Sequence, residues 1–493
     1  MPVPILIQRM YKSGTSWRRA CLLLGFALSA AGCASSAGIT HDQAMRDPAA
    51  LGANMEFNAW PATDWWKQLN DEELNHLIEQ ALRENPGIAQ AAKQIEKAAA
   101  YADSARSTLS PQVTGALSVS RQRLSENAFY PPPYGGSHQT LADASLNANW
   151  DVDFWGKNRS ALDAALSRQR AADGEQAATR LMISVAVART YYQLAHQLDY
   201  KTLAEQALQQ REQELDLVEA RLRTGLDSEV EQQQAQSALA SAKVDLQAAQ
   251  EAADLTRNAL AALTAQPVQS LRSLNAELSA RSPQAVPDDI PVDLLGRRPD
   301  LAAAKARIEA AGADIREAHA EFYPNVSLSA FIGLSSFGLS KFLELGSGTT
   351  GIGPALHLPV FDAGRLRANL RVKNADYDLA VTSYNQALLE ALHDIADQIT
   401  SLKTVQRQTQ DQQIALQAAE HAYQLAQARY KAGLSNYLSV LSAEDGWLRE
   451  RGRDLDLRAR GLDLNLALVK SLGGGYAAPE TKAAANSRGN PNE

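Results

Sequence analysis

Hydrophobic and polar positions along this chain follow two different periods, and the changes between them mark the predicted elements. Apolar and polar side chains alternate in four segments, two in each half of the chain: 112–120, 142–154, 326–334 and 352–360. Strict alternation is typical of a β-strand with one apolar and one polar face. The segments are nine to thirteen residues long, close to the ~9–11 residues of a tilted membrane strand. Alternation alone also fits a half-buried sheet in a soluble sandwich.

Apolar residues recur every three or four positions in two very long stretches that contain no proline. These stretches are 157–223 and 365–431. Each predicts a helix of about 67 residues, or ~100 Å, far longer than the helices of ordinary globular domains. Partner helices are predicted at about 228–264 and 436–470, after Gly225 and Gly433 as left-handed caps. The helices are too polar for lipid, so we expect them to lie in an aqueous compartment.

The chain contains an internal duplication. Residues 84–113 align without a gap on 297–326, with Pro86 on Pro299 and Pro111 on Pro324. The segment ARLRTGL that ends at Leu226 matches ARYKAGL at a constant offset of 208 residues. We therefore predict two structural repeats, at 70–280 and 290–475, each with a helix, two strands and a long helix pair.

The first 36 residues have the layout of a secretory signal. Four basic residues precede an apolar run from Cys21 to Ala31, which is too short to cross a bilayer as a helix. The exit, Ala-Ala-Gly-Cys33, resembles the lipobox of bacterial lipoproteins. We predict a signal peptide at 1–32, a lipid on Cys33, a linker at 33–69 and a disordered tail at 476–493. The alternative is an ordinary signal in which the cysteine is incidental.

The charge balance argues against nucleic acid as a partner. Removing the signal peptide, which carries four basic and no acidic residues, takes the formal net charge from −8 to −12. Phosphate backbones require clustered cations, and no basic patch is present. The sequence also contains neither HExxH nor GxSxG nor a phosphate loop. We predict no enzymatic activity and no cofactor beyond the covalent lipid on Cys33.

Four strands cannot close a barrel, and open sheet edges are not tolerated in lipid. Three copies would supply twelve strands and remove every edge. Membrane strands therefore imply a homotrimer in contact with outer-membrane lipid.

Several short segments together resemble one family, the TolC-like outer-membrane factors, in the lipidated OprM/NodT-type branch that serves tripartite RND efflux systems. They are VDFWGK at 152–157, PVFDAGR at 359–365, the paired RLRTGL and RYKAGL turns, and SLGGGY at 471–476. The resemblance implies a mainly α fold with membrane β-structure. A trimeric twelve-stranded outer-membrane barrel would continue as a twelve-helix periplasmic tunnel. A periplasmic adaptor and an inner-membrane RND-type pump would dock at its tip, and small molecules would pass outward without chemistry.

The resemblance also implies roles for residues at the tip. Glu231 and Tyr430 lie at positions where members of the family have residues of a gating hydrogen-bond network. The alternative for Glu231 is an ordinary solvent-exposed helix residue. This sequence departs from the family pattern at three positions, where serine replaces a basic partner or an acid of the pore rings: Ser435, Ser439 and Ser442. The nearby Glu444 and Asp445 are possible substitutes for those acids.

Six turn residues are candidates for adaptor contact on the same resemblance: Arg221, Gly225, Leu226, Arg429, Gly433 and Leu434. Their alternative role is purely structural, because both glycines have a capping function and the arginines can satisfy helix-terminal carbonyls.

Two other functions stay open at this point. One is the outer-membrane duct of a type I protein secretion system, which has the same architecture. The other is a lipid-anchored periplasmic coiled-coil scaffold, which leaves the four alternating segments unexplained. The sequence identifies neither the exported compound nor the cognate pump.

Overall fold

The computed structural model describes residues 35–53, 60–127, 129–278 and 294–477. The predicted signal peptide, Cys33 and nearly all of the predicted tail lie outside the described residues. The chain divides into two compact units. The sheet unit contains Met1–Ala44, Glu96–Ala171 and Lys305–Ser383; the helical unit contains Met45–Ile95, Ala172–Ala304 and Tyr384–Glu493. Each unit draws on both halves of the duplicated chain, and the boundaries at 70–280 and 290–475 stay predictions.

The predicted long helices are confirmed. The helices are α1 Glu72–Glu84, α2 Pro86–Ser107, α3 Lys157–Arg223, α4 Glu229–Leu263, the single turn α5 Leu294–Arg297, α6 Pro299–Ala320, α7 Arg365–Lys431 and α8 Tyr437–Ser471. Helices α3 and α7 have 67 residues each, and their partners α4 and α8 have 35 each. Proline at the first position of α2 and α6 costs no hydrogen bond, because that N–H has no partner within a helix.

Among the residues that the structure describes, no helix is both long and apolar enough to cross a membrane.

The four predicted strands form one antiparallel sheet in the order β1-β2-β3-β4. Their bounds are β1 Gln112–Arg123, β2 His138–Asp151, β3 Asn325–Phe337 and β4 Gly348–His357. Neighbouring strands pair without a bulge, so the register is continuous across the sheet.

All four predicted strand ends were wrong by three residues: β1 and β3 continue beyond 120 and 334, whereas turn chemistry ends β2 and β4 before the alternation stops. Phe154 lies beyond β2, since Asp153 has a φ of 42° and its carboxylate accepts from the Asn158 backbone N–H at 2.9 Å to open α3. Val360 lies beyond β4, which ends two residues before Pro359. Asp362 then accepts from the Leu366 backbone N–H at 2.8 Å and opens α7.

The register sorts the side chains of all four strands onto two different faces. One face is apolar and exposed: Leu117 is 73 % exposed, Ile332 60 % and Ile352 78 %. The other face is polar and internally bonded. The Ser335 hydroxyl donates to the Asp143 carboxylate at 2.6 Å, and the Ser329 hydroxyl donates to Asn149 Oδ1 at 2.9 Å. An exposed apolar sheet face of this extent requires a covering of lipid or protein.

The main core of the helical unit lies where α1 packs against the long helices. Trp65, Leu74 and Ile78 are almost completely buried there, together with Leu194 of α3 and Leu260 of α4. This core holds together the helices that carry the two helix turns.

The described N-terminal segment is attached to α7 within the sheet unit. The backbone N–H groups of Asp42 and Gln43 donate to the Asp378 carboxylate at 3.1 and 2.8 Å. The Ile39 side chain is buried against Leu370. Arg367 donates to the Ser35 carbonyl, two residues after Cys33.

Candidate functional site at the helix turns

The two helix pairs are joined by turns of the same construction. In the first, the Leu226 N–H donates to the Arg221 carbonyl at 2.9 Å and the Gly225 N–H donates to the Leu222 carbonyl at 3.0 Å. The second turn has the same two bonds 208 positions later. These are the paired bonds of a Schellman cap, and Gly225 and Gly433 have φ values of 73° and 76°. The predicted left-handed glycine caps are confirmed.

Both turns expose a leucine after the glycine. Leu226 is 66 % exposed and Leu434 is 70 % exposed. A Cβ added at Gly225 or Gly433 would meet no atom within 4 Å. The turns therefore offer an open surface with one apolar side chain each, and the adaptor-contact role of Leu226, Leu434 and the exposed Arg429 stays a prediction.

Arg221, Asp227 and Tyr430 form a compact triad that joins the first turn to the second. Arg221 Nε donates to Asp227 Oδ2 at 3.0 Å, and its Nη1 donates to the Tyr430 carbonyl at 3.3 Å. The guanidinium carbon lies 4.5 Å from the centre of the Tyr430 ring, and the Tyr430 hydroxyl donates to Asp227. Tyr430 is 2 % exposed. Burial and the hydrogen bond to Asp227 raise the pKa of the Tyr430 phenol, so the phenol keeps its proton.

Glu231 and Tyr430, which were expected to share a hydrogen-bond network, have different partners within the chain. Glu231 lies at the third position of α4, where its carboxylate accepts from the Ser228 backbone N–H at 2.9 Å in a capping box. The Ser228 hydroxyl also bonds to this carboxylate, and these bonds lower the pKa of Glu231. Tyr430 instead contacts Asp227. Glu231 therefore caps α4, and its role in the gate stays a prediction.

The three serines at the departing positions have different surroundings. The Ser435 hydroxyl is buried and has no hydrogen-bond partner within the described residues. The Ser439 N–H and hydroxyl both donate to Asn436 Oδ1, at 3.1 and 2.8 Å, in the N-cap of α8. Ser442 is exposed. None of the three carries a charge, so acidic pore rings at these positions would be absent from this chain.

A second polar cluster is buried between α3, α7 and α8, ten residues before the triad along α3. Arg211 Nη1 lies 2.9 Å from Glu444 Oε2 and 3.8 Å from Glu214 Oε2, and Nη2 lies 2.7 Å from Asp445 Oδ1. Side-chain exposure is 6 % for Arg211, 7 % for Glu214 and 0 % for Glu444.

Two tyrosines complete this cluster. The Tyr437 hydroxyl donates to Glu214 Oε2 at 3.2 Å, and the Tyr423 hydroxyl donates to Glu214 Oε1 at 3.4 Å. Both tyrosines belong to the buried apolar cluster that surrounds the triad. Glu214 therefore accepts hydrogen bonds from both tyrosines, whereas Glu444 contacts the guanidinium and Glu214.

One guanidinium faces two buried carboxylates, which is unfavourable if both are ionised. Burial, and then the charge of Glu214, raise the pKa of Glu444 to about 8. Burial likewise raises the pKa of Glu214. Burial and the neighbouring carboxylate therefore favour the protonated form of Glu444, which reduces the number of buried charges beside Arg211. Glu444 therefore cannot act as an exposed acid in a pore ring.

Asp227, Arg211 and Glu214 were missed by the sequence interpretation. The signal available for Asp227 was its position: it lies two residues after Gly225, where the second copy of the turn has Ser435. Arg211 and Glu214 offered none, because charged residues are frequent on the solvent face of any long helix. Within the described residues, no group of His, Cys, Asp and Glu could hold a metal ion.

Comparison with known proteins decides the family. The model of the outer membrane efflux protein family matches residues 77–266 and 290–474. The chain belongs to this family. Its members are efflux ducts rather than enzymes, and the family predicted from the short segments is confirmed.

Two relatives and one solved structure are similar to this chain over most of its length. The multidrug resistance outer membrane protein MdtP of Escherichia coli O6:H1 is 31 % identical over 470 residues, which are 93 % of this chain and 96 % of that protein. The pyoverdine export outer membrane protein OpmQ of Pseudomonas putida is 31 % identical over 468 residues, 94 % of this chain and 98 % of that protein. The crystal structure of the outer membrane protein VceC of Vibrio cholerae has a TM-score of 0.79 and 38 % identity, covering 85 % of this chain and 100 % of that one. The predicted fold class is confirmed.

Proposed function

We propose that this protein forms a homotrimeric duct in the outer membrane and carries small molecules outward as the outer component of a tripartite efflux pump. The observation that carries the proposal is the four-stranded sheet with one apolar exposed face and one polar face. Relatives named for multidrug resistance and pyoverdine export support small molecules as the cargo.

The edges of the sheet support assembly from several copies. Within the described chain, β1 and β4 each pair with a neighbour on one side only. Unpaired backbone groups are not tolerated in lipid, so the edges must pair with other strands. Joining β1 of one copy to β4 of the next closes a barrel of twelve strands when three copies are used. The apolar face then contacts lipid, and the polar face lines the channel.

The helix turns are the proposed docking site of a periplasmic adaptor, which would link the duct to an inner-membrane RND-type pump. Leu226 and Leu434 support this role, because each is a large apolar side chain exposed at the end of a helix pair. In the same proposal the Arg221–Asp227–Tyr430 triad holds the resting tip closed, and docking separates its members.

A lipid on Cys33 would anchor the mature N-terminus to the outer membrane. The attachment of Ser35 to Arg367, near the start of α7 and ten residues after β4, supports an anchor close to the strand ends. Multiple acyl chains bind membranes firmly where one chain binds only weakly.

The test combines assembly with transport. Protein extracted from outer membranes in mild detergent is expected to have the mass of three chains, and a deletion strain is expected to become sensitive to several unrelated drugs. A monomer without channel activity would contradict the duct. Normal drug resistance together with loss of one secreted protein would indicate a type I secretion duct instead.

A further inference from the structure

The loop between β1 and β2 contributes an aromatic cluster that the proposed efflux function does not use. The rings of Tyr134 and Phe337 are stacked, with centres 5.1 Å apart and planes at 18°. The Tyr130 ring meets the same Phe337 edge-on, with centres 5.7 Å apart and planes at 79°. This loop lies at the strand ends opposite to those that continue into α2 and α3.

The register places this cluster on the polar face of the sheet. Phe337 pairs directly with Leu141 of β2, and residues at every second position share a face. Phe337 is therefore on the same face as Ser335 and Ser329, whose hydroxyls bond to β2 side chains. The loop tyrosines contact Phe337 on this face and not on the apolar, exposed one.

The backbone holds the loop in this folded position. The Leu124 N–H donates to the Ser137 carbonyl at 3.0 Å, and the Gly136 N–H donates to the Leu124 carbonyl at 2.9 Å. Arg123 Nε donates to the Gly136 carbonyl at 3.2 Å. A Cβ at Gly135 would lie 2.8 Å from the Tyr130 carbonyl oxygen, so glycine is required for the close approach. Leu124 is only 4 % exposed beneath the loop.

We infer that Tyr130 and Tyr134, stacked on Phe337, form an aromatic constriction at the outer mouth of the duct and determine which solutes can pass it. The inference rests on the proposed trimer, in which the polar face lines the channel. Each copy then places two tyrosine rings at the mouth, where the rest of that face is mainly serine, asparagine and aspartate. Tyr134 is 41 % exposed, so its ring remains available to solutes in the mouth. Flat aromatic molecules can stack on these rings, whereas bulky polar chains meet a narrowed opening.

The experiment measures access to the channel from outside the cell. The cysteine variant Asn147→Cys marks the polar face, and Leu146→Cys marks the apolar face one residue away. Intact cells are treated with a small sulfonated maleimide or with a maleimide on a long poly(ethylene glycol) chain. In the parent loop, we expect Asn147→Cys to react with the small reagent and to resist the long one.

Adding Tyr130→Ala and Tyr134→Ala is expected to raise the labelling rate by the long reagent about tenfold, because both ring contacts to Phe337 are lost. The matched control is Phe129→Ala in the same loop. The Phe129 ring is 96 % exposed, so its removal is expected to leave the labelling rate unchanged. Trimer content is measured in every variant.

The possible failures are distinct. Equal labelling by the long reagent with and without the tyrosines, in intact trimers, would overturn the constriction. Equal labelling of Asn147→Cys and Leu146→Cys by the small reagent would contradict the assignment of one sheet face to lipid and the other to the channel. It would therefore also contradict the proposed duct.

Discussion

The buried cluster around Arg211 predicts that the helix pairs separate more easily as the pH rises. The Glu444 carboxyl, which is fully buried, has a pKa of about 8 in the folded protein against an ordinary value of 4.5. A carboxyl with a raised pKa contributes stability that is complete below pH 4.5 and is lost as the pH rises to 8. Above pH 8 the cluster contains two buried carboxylates for one buried guanidinium.

The magnitude follows from the linkage between protonation and stability. Each pH unit between the two pKa values changes the free energy of local opening by about 1.4 kcal/mol. Between pH 6 and pH 8 the opening equilibrium is expected to increase about 50-fold, because the carboxyl is half-ionised in the folded protein at pH 8. In Glu444→Gln the side chain stays neutral at every pH, so this dependence is expected to disappear.

Hydrogen exchange of the backbone amides of α8 around Glu444 measures the opening, because protection from exchange reports its free energy. Rates are corrected for the intrinsic pH dependence of exchange. Glu212→Gln, at an exposed position next to Arg211, is the matched control and is expected to behave as the parent protein. The reasoning is refuted if Glu444→Gln keeps the pH dependence of the parent, or if the parent has none.

Three further predictions concern the turns and the anchor. Tyr430→Phe removes the hydroxyl that donates to Asp227, which is expected to destabilise the closed tip by about 1 kcal/mol and to give more frequent openings in single-channel recordings; unchanged recordings would exclude the triad from gating. Gly433→Val forces a β-branched residue into a φ of 76°, at a cost of roughly 1–2 kcal/mol. Trimers should persist and adaptor co-purification should be lost, whereas Gly433→Asn, which tolerates this φ, should retain the adaptor. Cys33→Ser should abolish incorporation of labelled palmitate, and persistent labelling would disprove the anchor site.

Local patterns in the sequence determined the elements of this protein almost completely. The proline-free stretches predicted two helices of the observed length, because a period of 3.6 maintained over so many residues fits no other element. The glycine caps at Gly225 and Gly433 followed from the duplicated turns for a similarly local reason. The strand ends were less accurate, since the side chains of Asp153 and Asp362 end the alternating segments by capping the next helix.

Only the tertiary structure decided which side chains meet across helices. Asp227 lies two positions before Glu229, where α4 begins, and nothing in the helical pattern distinguishes the acid that contacts Tyr430 from the acid that caps α4. Arg211 and Glu444 are 233 residues apart, and each has neighbours typical of a solvent-exposed helix face. Their burial depends on the relative rotation of α3 and α8 about their own axes. Hydrophobic periodicity does not specify that rotation closely when the helices are as rich in alanine and polar residues as these.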